Sequence, residues 1–225
     1  WEFIDTEVND RIEERGWVLD TPADPIDPAS LSKACVALLS DLHFGAATKK
    51  SKINPRFDVD VLARQFRDAA EEINEMANGG PVILGFLGDF IESFTGLNHL
   101  NSFKELSHFG MAAVIGVFEC MELNLLANIK NLQKIHMVPG NHDRVTSSKD
   151  VDAYREVGTM LHWMINKVYP QWAGEYDPIA VSFQVADVSY ILSHGEHGQA
   201  KKDSADIIMR YSCNRNAKYH VVASG

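Results

Sequence analysis

The chain has 225 residues, of which 45% are hydrophobic and 23% charged, an ordinary globular composition that excludes a disordered or fibrous protein. Because no run approaches about 18 uncharged apolar residues, we expect no membrane-spanning helix and no membrane partner. A net charge of −10 argues against a protein that coats nucleic acid over its whole surface.

The acidic residues are concentrated at the start of the chain. Residues 1–30 hold nine acidic residues and two arginines, and so carry seven of the ten net negative charges. We predict an acidic lead segment over residues 1–33, which ends in a proline-rich loop, and a separate domain over residues 34–225. Since there is no secretory leader and no C-x-x-C pair among three cysteines, we expect a reducing, cytoplasmic compartment.

The first strand and the first helix of this domain are predicted from their apolar patterns. Residues 34–40 form a short continuous apolar run, which is typical of a buried strand. Residues 58–78 carry apolar side chains at helical spacing, and Asp58 is a suitable cap for the start of this helix. The predicted inner face consists of Leu62, Phe66, Ala69, Ile73 and Met76.

The remaining patterns alternate between strands and helices through most of the chain. Such alternation predicts an α/β fold in which helices cover a sheet, and a late hairpin adds mixed strand pairing. The further predicted strands cover residues 81–87, 134–138, 179–184, 188–193 and 219–223. The further predicted helices lie within residues 103–130 and over residues 151–168 and 204–211.

Four of the predicted strands are followed by side chains that can bind a metal ion. Since the carboxyl ends of the strands in an α/β sheet meet at one crevice, these side chains can converge. The set contains carboxylates, imidazoles and an amide but no thiolate, which favours manganese, iron, zinc or a similar divalent ion over structural zinc. In chain order they are Asp41 and His43, then Asp89, then Asn141, His142 and Asp143, and finally His194.

The ordered motifs D-x-H, G-D, G-N-H-D and a strand-end histidine resemble the signature of the calcineurin-like metallophosphoesterase superfamily over residues 34–225. The runs Gly-Asp-Phe-Ile-Glu-Ser and Gly-Asn-His-Asp-Arg look similar to its DNA-repair exonuclease-like branch. The resemblance implies an α/β/β/α sandwich of mixed sheets, with a two-metal site at the carboxyl ends of the strands.

The resemblance also implies how the metal ions are bound. Asp41 and His43 would bind the first ion, Asp89 would bridge both, and Asn141 and His194 would bind the second. Manganese is the expected metal, with iron, zinc, nickel and magnesium as alternatives. A water activated by the two ions would attack the phosphorus in line, without a covalent enzyme intermediate.

His142 has a different role in this resemblance, because it would not bind metal. It would lie beside the scissile phosphate as proton donor or charge stabiliser, held in place by Asp143. Imidazole suits this role since its protonated form stabilises negative charge and can protonate a leaving oxygen.

Basic residues follow two of the metal motifs and are candidates for substrate binding. They could hold phosphates or a nucleic-acid backbone, or could simply lie in solvated loops. They are Lys49, Lys50, Lys52 and Arg56 after the first motif, and Arg144 and Lys149 after the third. His197 could approach the metals or substrate, or lie in a solvated loop.

The sequence departs from the family pattern at its end. The chain stops at Gly225, where the G-H-x-H motif of the family would begin, so the two histidines of that motif are absent. We expect a truncated chain, and the alternative is a degenerate site in a non-catalytic subunit.

The leading hypothesis is a metal-dependent phosphoesterase, more specifically a phosphodiesterase or nuclease that acts on DNA or RNA. The alternative enzyme is a phosphomonoesterase or nucleotide pyrophosphatase. Two bound divalent ions would bring residues 31–225 close to neutrality, so the overall charge does not exclude a phosphate polymer. A homodimer through the helical stretch within residues 103–130 is left open.

Overall fold

The computed structural model describes residues 33–49, 55–96, 102–146, 156–195 and 204–225. The predicted acidic lead segment therefore lies almost wholly outside the described residues. In the described part the strands are β1 Cys35–Leu39, β2 Val82–Phe86, β3 Leu132–Met137, β4 Ala173–Tyr176, β5 Val181–Val185, β6 Val188–Ser193 and β7 Tyr219–Ser224. The helices are α1 Val59–Ala77, α2 Gly110–Asn124, α3 Glu156–Val168 and α4 Ser204–Tyr211.

The first sheet is entirely parallel and has the order β1-β2-β3-β4. One helix follows each of its first three strands, as parallel pairing requires. β2 occupies an inner position and is buried along its whole length. Because all four strands run in the same direction, their carboxyl ends lie along one edge of the sheet.

The second sheet has the order β5-β6-β7, with β5 antiparallel and β7 parallel to β6. Its inner face packs on the first sheet through a buried apolar cluster. This cluster consists of Ile83, Leu87, Val138, Val181, Phe183, Val185 and Leu192. The two sheets therefore form the central layers of a sandwich, as the family resemblance implied.

Helices form the outer layers. The larger apolar core lies between the first sheet and helices α1, α2 and α3, and includes Phe66, Val117 and Leu161. On the other side, the end of α4 reaches the outer face of the second sheet, where Ser212 Oγ lies 3.0 Å from Ser189 Oγ. The predicted α/β/β/α sandwich is thus confirmed.

The start of helix α1 is fixed by the side chain of the residue that precedes it. The Asp58 carboxylate accepts a hydrogen bond of 3.0 Å from Val61 N, which satisfies one of the free amides of the first turn. The predicted inner face is correct except for Met76, which is 61% exposed; Ala69 is half-buried against the larger core, and Ala70 beside it is fully buried. Ala77, in the same last turn, packs against the larger core, so the inner face continues from Ile73 to Ala77 and Met76 lies beside it.

The helical region predicted within residues 103–130 is divided by turns. α2 begins at Gly110, and a short 3-10 turn, Leu126–Asn128, follows it. Gly116 is a point of close packing, since a Cβ there would lie 2.6 Å from a ring carbon of Phe44. The sequence did not predict β4, which is a four-residue strand with glycine and glutamate at its centre and a single neighbour.

In the described part of the chain, Gly110–Asn128 is the one helical stretch long and apolar enough to cross a membrane. Half of it is buried inside the protein. Val114, Val117 and Met121 are completely buried in the larger core. Its place under α1 and α3 therefore explains why α2 is so apolar.

Candidate metal centre

The loops after β1 and β2 are joined by main-chain hydrogen bonds. Asp41 N donates to Gly88 O at 3.2 Å, and His43 N donates to Asp89 O at 2.9 Å. Asp41, His43 and Asp89 have φ angles of 57°, 44° and 54°, in the left-handed region. Only two other non-glycine residues in the described ranges have positive φ, so unusual backbone is concentrated at these candidate ligands.

The loops after β2 and β3 also touch, and glycine makes this contact possible. A Cβ at Gly140 would lie 2.7 Å from Asp89 Cγ and closer still to Asp89 N and Oδ1. A Cβ at Gly88, where φ is +94°, would lie 2.6 Å from Gly140 Cα. Side chains at these two positions would force the loops apart.

The first group of candidate ligands surrounds the His43 ring. Its Nε2 atom lies 3.6 Å from Asp41 Oδ1 and 3.9 Å from Asp89 Oδ2. Its Nδ1 atom lies 2.8 Å from Glu92 Oε2. The closeness of the Glu92 carboxylate to Nδ1 favours the tautomer that has its proton there, in which the Nε2 lone pair faces the two aspartates.

The second group surrounds the His194 ring. Its Nε2 atom lies 3.0 Å from Asn141 Oδ1 and 3.4 Å from Asp89 Oδ2, while Nδ1 lies 2.7 Å from Leu87 O. A carbonyl oxygen can only accept, so Nδ1 donates to Leu87. In the neutral imidazole the Nε2 lone pair then faces two oxygen acceptors, an arrangement that a cation satisfies.

Both groups fit a divalent ion. Ligand atoms about 2.0–2.2 Å from a common ion are separated by roughly 3 Å or more, which matches the distances around His194. Asp89 belongs to both groups, because its Oδ2 atom is shared by His43 and His194. A third grouping is also compact: His43, Asp89 and His142 have ligand atoms within 4.8 Å of one another.

Negative charge dominates the electrostatics of this site. Burial alone lowers the pKa of His194, but the hydrogen bond and charge of Asp89 outweigh burial and raise it. Burial likewise lowers the pKa of His43, and Glu92, Asp89 and Asp41 reverse that effect. Burial raises the pKa of Asp89, but hydrogen bonds from His194 and from the His142 amide bring it below its usual range.

His142 is fixed by two contacts to the loop after β2. Its main-chain amide donates to Asp89 Oδ1 at 2.8 Å, and its Nδ1 atom lies 2.7 Å from Glu92 O. Its ring meets the His43 ring edge to face, with centroids 4.7 Å apart. Its place in the compact group with His43 and Asp89 is compatible with metal binding, so the expected non-ligand role stays a prediction.

Asp143 is completely buried, and its carboxylate binds main-chain amides. Its carboxylate accepts from Phe90 N at 2.8 Å, Ile91 N at 3.3 Å and Gly140 N at 2.6 Å. Burial and the charge of Asp89 raise the pKa of Asp143 to about 6, against the effect of these three amides. The sequence analysis expected Asp143 to hold His142, and the structure shows it holding the main chain beside His142 while the ring bonds to Glu92 O.

Several candidates for substrate binding can be only partly located. Lys49 is exposed and Arg144 is half-buried, whereas Arg56 forms an ion pair with Asp58. Lys50, Lys52, Lys149 and His197 lie outside the described residues.

Sequence analysis gave no role to Glu92. The one feature of the sequence that could have identified Glu92 is its position, three residues after Asp89 in the same loop. What the sequence could not show is that this loop passes both His43 and His142.

Comparison with known proteins gives one match. The family model described as calcineurin-like phosphoesterase matches residues 36–220, from β1 into β7. The matched range contains every candidate ligand described above. No curated protein sequence and no solved structure showed a significant match.

Proposed function

We propose that this chain, which belongs to the calcineurin-like phosphoesterase family, is a phosphodiesterase that cleaves nucleic acid. Family membership carries the general activity, which is metal-dependent hydrolysis of phosphoesters with bound divalent ions. The observation that carries the site is the convergence of three strand-end loops on the Asp89 carboxylate. The substrate, the metal and the roles of individual residues belong to the proposal.

Two divalent ions are proposed, with manganese as the expected metal. Asp41 and His43 would hold one ion, Asn141 and His194 the other, and Asp89 both. The ions supply Lewis-acid activation of the attacking water and of the phosphoryl oxygens. Oxygen and imidazole ligands without thiolate suit manganese and similar ions.

His142 is proposed as the proton donor to the leaving oxygen. In its protonated form, Nδ1–H donates to Glu92 O and fixes the ring, and Nε2–H is the proposed donor to the leaving oxygen. The amide of His142 is tied to Asp89 Oδ1, so the proton donor and the shared ligand keep a constant separation. Asp143 holds the main chain of both loops.

The exposure of the site supports a polymeric substrate. The side chains of Asp89 and His194 are only 5% and 7% exposed, whereas those of His43 and Asp41 are 26% and 53% exposed. The site is therefore closed on the side of the second group and open on the side of the first. Lys49 is exposed and comes shortly after His43 in the sequence. We expect it to contact the phosphate backbone of the substrate.

The test compares three substrates with the manganese-loaded protein: bis(4-nitrophenyl) phosphate, 4-nitrophenyl phosphate and a DNA oligonucleotide. We expect hydrolysis of the diester and of the oligonucleotide, and loss of both on chelation. Activity on the monoester alone would overturn the nuclease proposal and favour a phosphomonoesterase. A metal-loaded protein that hydrolyses none of the three substrates would overturn it as well.

A further inference from the structure

We infer that Glu92 is a positioning residue that sets the orientation of two functional histidines through two different groups. Its carboxylate orients His43, and its main-chain carbonyl orients His142. This inference rests on the proposed function only for the role of His142, because the effect on His43 concerns metal binding.

The main chain of Glu92 is held firmly in place. Glu92 N donates to Phe44 O at 2.9 Å, which ties it to the loop after β1. The preceding residue, Ile91, pairs with Phe44 in a β-bridge and donates its amide to the buried Asp143 carboxylate. The carbonyl and the side chain of Glu92 therefore start from a backbone that is fixed at Glu92 N and at the residue before it.

The carboxylate of Glu92 acts on His43. Oε2 lies 2.8 Å from His43 Nδ1, and 3.9 Å from His142 Nδ1, so its closer partner is His43. A carboxylate at Nδ1 keeps the proton there and increases the electron density at Nε2. The Nε2 atom faces Asp41 and Asp89, which is where the first metal ion would bind.

The carbonyl of Glu92 acts on His142 independently of the side chain. Glu92 O lies 2.7 Å from His142 Nδ1, which is a short hydrogen bond. A substitution at Glu92 removes the carboxylate but leaves this carbonyl in place. The two effects can therefore be separated, since only the His43 side of the arrangement depends on the side chain.

The experiment measures manganese binding by equilibrium dialysis in Glu92→Ala, Glu92→Gln and the wild-type chain. Glu72→Ala is the matched control, because Glu72 is exposed on α1. We expect Glu92→Ala to weaken binding at the affected site about 10- to 100-fold. Glu92→Gln keeps an oxygen acceptor for His43 Nδ1 and should lose less than about 10-fold. Glu72→Ala should bind as the wild type does.

Two further measurements make the inference specific. Heteronuclear NMR of the histidine rings should show an altered tautomer for His43 in Glu92→Ala and a retained one in Glu92→Gln, with His142 unchanged in both variants. In a His43→Gln background, Glu92→Ala should cause no additional loss of manganese binding. Circular dichroism checks the fold, and the isosteric Gln variant serves if the Ala variant fails to fold.

The inference is overturned if Glu92→Ala binds manganese within about 2-fold of the wild type, or if both histidine rings change together. Its failure is distinguishable from failure of the proposed function. A wild-type chain that binds manganese without hydrolysing any phosphoester would overturn the function and leave the Glu92 result standing. Unchanged binding in Glu92→Ala, with normal hydrolysis, would overturn this inference alone.

Discussion

Replacement of Gly140 by alanine should disrupt the centre of the site while leaving its ligands in the sequence. The new Cβ would lie 2.7 Å from Asp89 Cγ, whereas non-bonded carbons need roughly 3.5–4.0 Å. The two loops must therefore separate by about 1 Å. Asp89 is 4% exposed and is tied to His142 N and His194, so it cannot move alone.

We expect Gly140→Ala to lose about 100-fold in diester hydrolysis, because a displacement of this size misplaces the shared ligand. Overpacking should also lower the free energy of unfolding by roughly 1–3 kcal/mol. The assays are hydrolysis of bis(4-nitrophenyl) phosphate with manganese, manganese content per chain, and urea unfolding.

Gly79→Ala is the matched control for this substitution. Gly79 has φ +79° but no atom within 4 Å of its Cβ position, so alanine there brings backbone strain without a clash. It should cost about 1–2 kcal/mol of stability and leave activity intact. If Gly140→Ala hydrolyses the diester as fast as Gly79→Ala, the close approach of the two loops is not required for the site.

Two other substitutions test separate parts of the structure. His142→Ala should abolish turnover while manganese content per chain stays constant, and loss of manganese would instead identify His142 as a ligand. Burial lowers the pKa of His136 to about 4 from its ordinary value of 6.5. The folded state then binds fewer protons than the unfolded state between these values, so stability falls by as much as about 3 kcal/mol as the pH drops through this window. Urea unfolding at about pH 7 and about pH 4.5 should show a smaller fall in the free energy of unfolding for His136→Gln than for the wild type. An equal fall in both proteins would refute the lowered pKa of His136.

The sequence was sufficient to predict most of the fold because its strands and helices carry strong apolar patterns. The fully buried β2 is one continuous apolar run, and α1 has a capping aspartate and a regular inner face. β4 was missed because Ala173–Tyr176 is short and contains glycine, so only its pairing with β3 makes it a strand. Met76 was misplaced because spacings of three and four residues are both helical, and after Ile73 the inner face continues four residues on, at Ala77.

The convergence of the site was predictable for a similar reason. Parallel strands bring their carboxyl ends to one edge, so Asp41, Asp89 and Asn141 could be expected near one another from the order of the motifs alone. The supporting contacts were not predictable. The hydrogen bonds that Phe90 N and Ile91 N donate to the Asp143 carboxylate join segments that are distant in sequence, and no local pattern encodes them.

The three histidines of the site use their ring atoms in the same way. In His43, His142 and His194 the Nδ1 atom lies within 2.8 Å of an oxygen of the protein, so Nε2 would be the atom that meets a metal ion or substrate. All three oxygens belong to Leu87 or Glu92, in the loop that follows β2.

β2 is flanked by β1 and β3 and packs on the second sheet, so its loop is the one that every other motif can reach. The histidines come from three different loops, yet their orientation depends on this single segment, which also carries the shared ligand Asp89. The central position of β2 therefore explains why a displacement of the main chain between Leu87 and Glu92 should affect metal binding and proton transfer together, whereas a change of the Glu92 side chain alone affects only His43.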